Sequence, residues 1–183
     1  VFPVPDGDTG TNMSSTLTAA VHEMDVLKET SLESVAKAAA WGALMGARGN
    51  SGIILAQVFS GIAESIKGRD RMLAADIAAA FEVSAEKAKK AILHPAEGTI
   101  LTVLQDVSKD AREVVKNSRD LAVLIETMAT SARSSVERTP LLLPKLKEAG
   151  VVDAGGMGLS LFLEGIFHLV QGINVADADV PAD

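Results

Sequence analysis

The 183-residue sequence predicts an all-α fold, an antiparallel up-and-down helical bundle or barrel, and three observations carry that prediction. From about Thr11 the apolar residues recur at helical spacing almost to the end of the chain, and each run closes at a glycine, a proline or a polar cluster. Hydrophobic residues make up 48% of the chain but aromatic ones only 3%, so the apolar content is mostly Ala, Val, Leu, Ile and Met. Small aliphatics of that kind suit closely packed helices better than a β-sandwich. The breaks between runs are short, which sets successive helices side by side and antiparallel. A chain of this length fits one domain, at roughly 150 residues per domain, and can fold without a metal or a disulfide.

The elements follow in order. Met13, Leu17, Val21 and Met24 mark the first helical face. Thr30-Ser31-Leu32-Glu33 has capping-box spacing and opens a second helix through Val35, Ala39, Trp41 and Met45. Gly46-Ala47-Arg48-Gly49-Asn50-Ser51-Gly52 breaks the chain before a third face of Leu55, Val58, Phe59, Ile62 and Ile66. A fourth helix reads through Ile77, Phe81, Ala88 and Ile92, stopping near His94-Pro95 because the residue before proline is biased out of the helical region. Ile100, Val103, Leu104, Val107 and Val114 define a fifth helix, and Leu121, Ile125, Met128 and Val136 a sixth. Pro140 and Pro144 bracket a turn whose leucine triplet is expected to seal one end of the core. The glycine-rich segment Gly150 to Gly158 leads into a seventh and last helix through Leu159, Phe162, Leu163, Ile166 and Leu169. Residues 1–173 are read as the domain and 174–183 as a solvated linker.

In an up-and-down bundle, alternate connections share an end. Two helices separate the segment Asp6 to Thr11 from Gly46 to Gly52, and four separate the latter from Gly150 to Gly158. Both numbers are even, so these segments gather at one end, together with the Pro95 to Thr102 turn.

Composition removes several functions. A formal net charge of −7 argues against a sequence-independent nucleic-acid binder, which needs Lys and Arg to neutralise phosphates, and against docking on an anionic membrane. No apolar run reaches the ~18 residues of a transmembrane segment, since Gln57, Glu164 and His168 interrupt the best candidates. With no secretory signal and no cysteine, the expected location is cytoplasmic.

The strongest local signal is Pro5-Asp6-Gly7-Asp8-Thr9-Gly10-Thr11-Asn12-Met13. Two carboxylates two residues apart in a tight glycine loop can aim oxygens at one point, as a hard cation such as Mg²⁺ requires. The loop feeds a helix whose first N–H groups form a natural phosphate seat. An ordinary turn in which Asp8 or Thr9 caps the helix explains the same residues. Gly49-Asn50-Ser51-Gly52 offers small residues and a hydroxyl at another helix start, either as a phosphate contact or as a close helix–helix turn; it is not a Walker loop. Gly98-Thr99 and Thr102 place hydroxyls at a third start, where capping serves equally well, and Asp153-Ala154-Gly155-Gly156 suits a ligand or a cap at a fourth. His22, His94 and His168 show no ligand spacing and are read as structural. Without a nucleophile–base pair, positioning and electrostatics remain, which is the chemistry of phosphoryl transfer.

On these motifs the chain resembles the DhaL-like family, which includes the nucleotide-binding subunit of dihydroxyacetone kinase and the N-terminal domain of bacterial fatty acid kinase, over nearly its whole length. The resemblance implies a barrel of eight antiparallel helices with ATP or ADP at one end and Mg²⁺ between aspartates and phosphates. Asp6 and Asp8 would be the metal ligands and catalytic carboxylates. Thr9, Thr11, Asn12 and Met13, the Gly49-Asn50-Ser51-Gly52 loop, Gly98, Thr99, Asp153 and Gly155 would line the nucleotide. The family's first helix and first metal-binding side chain would fall before Val1. Thr9 stands where dihydroxyacetone kinase subunits usually have histidine, and Ala154 where they have proline, so the sequence looks more like the fatty acid kinase branch. The implied partner is then a fatty-acid-binding protein, with further domains of a longer parent chain. The alternatives are a dihydroxyacetone-binding subunit as partner, or a nucleotide-bound regulatory domain.

Overall fold

The computed structural model describes residues 7–173, so Asp6 and the 174–183 tail lie outside the described residues. Within them the chain forms eight helices and no strand: α1 (Thr9–Asp25), α2 (Leu32–Gly46), α3 (Gly49–Ile66), α4 (Ala74–Ala91), α5 (Ile100–Val114), α6 (Leu121–Leu142), α7 (Pro144–Ala149) and α8 (Ala154–Val170). Each long helix from α1 to α6 packs on the next in sequence, and α8 closes the ring by touching both α6 and α1. The all-α antiparallel architecture is the expected one. The one element beyond the seven expected, α7, is a short helix in place of the expected turn; Pro144 at its first position suits a helix start, and Gly150 in the left-handed conformation ends it.

The core is aliphatic and lies inside the ring. Leu55 and Val58 from α3, Val103, Leu104 and Val107 from α5, Leu124 and Met128 from α6, and Leu159 and Leu163 from α8 are all fully buried. Ser84 of α4 is buried too, and its hydroxyl lies within hydrogen-bond reach of the Val58 and Ala80 carbonyls, so it is not stranded. Along the outside, Arg133 pairs with Glu164 and Arg138 with Asp106, exposed bridges of small energetic weight.

Three further expectations need correction. On α1 Met13 is buried as expected, but the other buried positions of α1 and those of α2 are small residues, with Thr16, Ala20, Ala39, Gly42 and Ala43 inside, while Val21, Trp41 and Met45 are about half exposed. The cause is distance: a Cβ on Gly42 would stand 2.3 Å from the Ala19 carbonyl oxygen, so the helices are too close for large side chains between them. The cap of α2 is Ser31, accepting from the Ser34 N–H at 3.2 Å, and not a Thr30–Glu33 box. Glu33 instead pairs with Lys37 and accepts from the Gly68 N–H at 3.0 Å, which together hold its carboxyl below the usual range. Finally, the leucine triplet does not seal the core: Leu141 and Leu142 are exposed because α6 continues through Pro140, and the buried residue is Leu146 of α7.

Candidate functional site

The N-termini of α1, α3, α5 and α8 meet at one end of the ring, as the parity of the long helices requires once the six-residue α7 is taken as part of the connection from α6 to α8. Three sets of contacts establish this. Asn12 Nδ2 lies where a Cβ on Gly49 would stand 2.9 Å away, and Gly52 is equally tight against Thr16. Met13, itself buried, lies against Gly158. Gly155 and Gly156 pack on Ile100 and Val103. The Asp8, Gly49, Gly98 and Asp153 segments therefore converge.

The four termini are of two kinds. At α1 the N-cap residue Asp8 has a helical backbone and makes no side-chain cap bond; at α3 the N-cap Arg48 makes none either. Helical bonding starts with Asn12 donating to the Asp8 carbonyl and Gly52 to the Arg48 carbonyl. The N–H groups of Thr9, Gly10 and Thr11, and of Gly49, Asn50 and Ser51, precede those bonds and have no partner among the described residues. Two uncapped helix starts side by side concentrate free donors and positive helix-dipole ends, a setting for an anion. Gly49, at φ +59°, makes the sharp entrance to α3 with no side chain to block it.

Asp8 is exposed beside these donors. Its Oδ2 accepts from Asn12 Nδ2 at 2.9 Å, which orients the carboxylate without burying it, and Asn12 is steadied by Thr16, whose hydroxyl donates to the Asn12 carbonyl at 2.8 Å. The capping explanation of Asp8 is thus not what the geometry shows. No cluster of three His, Cys, Asp or Glu ligands forms among the described residues. One or two carboxylates with phosphate oxygens and water are the donor set Mg²⁺ ordinarily takes, and Asp8 fits it.

The other two starts are capped and buried. Thr99 accepts from the Leu101 N–H at 3.3 Å and donates to the Ala96 carbonyl; Thr102 accepts from the Gly98 N–H at 2.9 Å. Asp153, 3% exposed, accepts from the Gly156 N–H at 2.6 Å. Burial raises its carboxyl above the ordinary range, with the Gly156 and Ile100 N–H groups pulling the other way. In this half the side chains brace the backbone, and the surface offered to a ligand is glycine and main chain.

His22 and His168 sit in the last turns of α1 and α8, away from this end, and His94 is exposed in the loop before α5. Surface grooves beside α6, near Asp110 and Arg138, and between α4 and α5, near Glu82 and Arg112, contain none of these residues. Sequence reasoning missed Arg48, a guanidinium that bonds only the neighbouring Ala47 carbonyl (2.9 Å) and makes no ion pair among the described residues. It stands in the Gly46 to Gly52 break, where a lone arginine among small residues carries no spacing signal. It also missed Thr16 and Thr139, buried hydroxyls that only packing reveals.

A family model described as the DAK2 domain matches residues 3–168. Protein YloV of Bacillus subtilis (strain 168) is 43% identical over 175 residues, 96% of this chain and 32% of YloV. An uncharacterized protein of Staphylococcus aureus (strain USA300) matches to the same extent, 43% identity over 96% of this chain and 32% of its own. The chain spans about a third of the length of the curated relatives it matches. Because the family match runs from the first glycine loop to the last turns of α8, and so takes in the whole ring of helices with its convergent end, the chain belongs to the DAK2 domain family, a kinase-associated, DhaL-like group of nucleotide-binding helical domains.

Proposed function

We propose that this domain binds Mg-ATP for a kinase that phosphorylates a fatty-acid carboxylate, with the acceptor held by a separate fatty-acid-binding protein. The observation that supports the reading most is the pairing of two uncapped helix starts, α1 and α3, beside the exposed carboxylate of Asp8. The N–H groups of Thr9 to Thr11 and of Gly49 to Ser51 would hold phosphate oxygens, and the Arg48 guanidinium adds a positive charge at the same corner. Asp8, with Asp6, would hold Mg²⁺, which when bound spreads the charge of the transferring phosphoryl group. Gly98, Thr99, Asp153 and Gly155 would shape the other wall for the remainder of the nucleotide.

In the transfer, a carboxylate oxygen of the acceptor forms a bond to the γ-phosphorus while the bond from that phosphorus to the ADP oxygen breaks, giving an acyl phosphate and ADP. A carboxylic acid is already ionised at neutral pH, so no proton has to be removed and the work is alignment and charge neutralisation. Thr9 and Ala154, in place of the histidine and proline usual in dihydroxyacetone kinase subunits, favour this acceptor over a triose.

The first prediction tests the metal seat. Asp8→Asn and Asp6→Asn are each expected to abolish Mg²⁺-dependent ADP binding in calorimetry while the helical circular dichroism stays unchanged; wild-type affinity in both variants would refute the assignment. For the acceptor, a full-length protein carrying this domain is supplied with ATP, a loaded fatty-acid-binding protein or dihydroxyacetone, and the phosphorylated product is identified. Transfer to the triose alone overturns the acceptor assignment and keeps the nucleotide site. ADP binding without transfer to either points to a regulatory domain.

A further inference from the structure

Thr139 sits in the last turns of α6, fully buried. The helix runs on through Pro140, and a proline inside a helix has no N–H to give the carbonyl four residues back. That carbonyl belongs to Val136, and the Thr139 hydroxyl donates to it at 2.7 Å. The same hydroxyl oxygen accepts the Asp153 N–H at 3.0 Å. A threonine hydroxyl has one proton to donate and lone pairs to accept with, so one group repairs the proline break and anchors the loop before α8.

From Asp153 the chain of contacts continues to two helix starts. Its carboxylate takes the Gly156 N–H at the start of α8, and Gly155 ties it to the start of α5: a Cβ there would stand 3.3 Å from that carboxylate and 3.2 Å from Ile100 Cβ. The Thr139 carbonyl meets the third partner: a Cβ on Gly98, which sits at φ +74°, would stand 2.9 Å from that oxygen. Both loops of the capped half of the site therefore rest on one turn of α6.

We infer that Thr139 is a positioning residue of the nucleotide site, its hydroxyl fixing Asp153 and through it the register of the α5 and α8 starts. The inference rests on the nucleotide reading above. Thr139→Val keeps the branched shape and removes the hydroxyl, leaving the Val136 carbonyl and the Asp153 N–H without their partner; a lost buried hydrogen bond of this kind is expected to weaken Mg-ADP binding by about tenfold or more. Thr139→Ser restores the hydroxyl and should recover affinity to within about twofold. The double variant Thr139→Val/Pro140→Ala separates stability from position, because the alanine brings an N–H that can bond the Val136 carbonyl while Asp153 stays unanchored. It should regain thermal stability over the single variant and keep the weakened ADP affinity.

Three binding results would overturn the inference: wild-type ADP affinity in Thr139→Val, equal loss in Thr139→Val and Thr139→Ser, or full recovery of affinity in the double variant. Amide hydrogen exchange at Asp153 and Gly156 in the unliganded protein reads the tie without a nucleotide. Faster exchange in Thr139→Val than in Thr139→Ser supports it, and unchanged exchange refutes it. If the wild type fails to bind Mg-ADP while exchange behaves as expected, the nucleotide reading falls and the junction stands as a purely structural one.

Discussion

Asp153 is a carboxyl group enclosed by the ends of three helices, and its pKa is a statement about stability. Burial raises it above the ordinary value, so between those two values the folded chain holds a proton that the unfolded chain has lost. Stability contributed at this site therefore falls as pH rises through that window, and the cost of the buried charge is carried in full above it. Asn at this position accepts the Gly156 N–H without a charge. Asp153→Asn should be at least as stable as wild type at about pH 7, losing this part of the pH slope, whereas Asp153→Ala should cost about 0.5–2 kcal/mol as a lost cap. Urea titrations of the three proteins near pH 4 and pH 7, with the variant curves subtracted from wild type, isolate the effect. The sequence showed Asp153 as a helix-start residue and left ligand or cap open. Its burial could not be read there, because the residues that enclose it come from α5 and α6.

Among the elements, α1, α2 and α3 pack through small residues. Gly42 has the Ala19 carbonyl and the Ala20 Cα within 2.8 Å of where a Cβ would stand, and both are backbone that cannot yield. Gly165 on α8 has nothing within 4 Å. The two glycines look alike in sequence, each inside a helix, yet Gly42→Ala should destabilise by about 1–3 kcal/mol through overpacking, and Gly165→Ala should stabilise by about 0.5–1 kcal/mol through helix propensity. Chemical denaturation of both variants tests the contrast, and equal gains would show that the α1–α2 distance is looser than described. Close approach also explains why Trp41 and Met45, large and apolar, lie about half exposed. Apolar spacing marks large residues as core, but a helix pair this near admits only Gly and Ala between its members, and the large side chains turn outward.

For the whole molecule, a ligand at the convergent end contacts several helices at once and should stabilise the ring as a unit. Mg-ADP at about 100 times its dissociation constant is expected to add ~2.7 kcal/mol, seen as a higher melting temperature that EDTA reverses. No rise, or one indifferent to EDTA, would argue for a bundle without this ligand. No helix among the described residues is long and apolar enough to cross a membrane. Periodicity, glycine and proline breaks and the parity of short connections are local or combinatorial facts, so the helical class, the long helices and the end at which the loops gather are legible in the sequence. Capping types and glycine are visible one position at a time, and they mark Asp8, Gly49, Thr99 and Asp153 as helix-start residues. Which of those starts are free and which are sealed came only from the packed fold. Among the described residues Asp8 and Arg48 make no side-chain cap to the first N–H groups of α1 and α3, whereas Thr99 and Asp153 are spent on their own backbone, and Thr139 joins two loops from one turn of α6. Those outcomes depend on which groups lie within hydrogen-bond reach across helices far apart in the chain, a distance that no spacing along the sequence encodes.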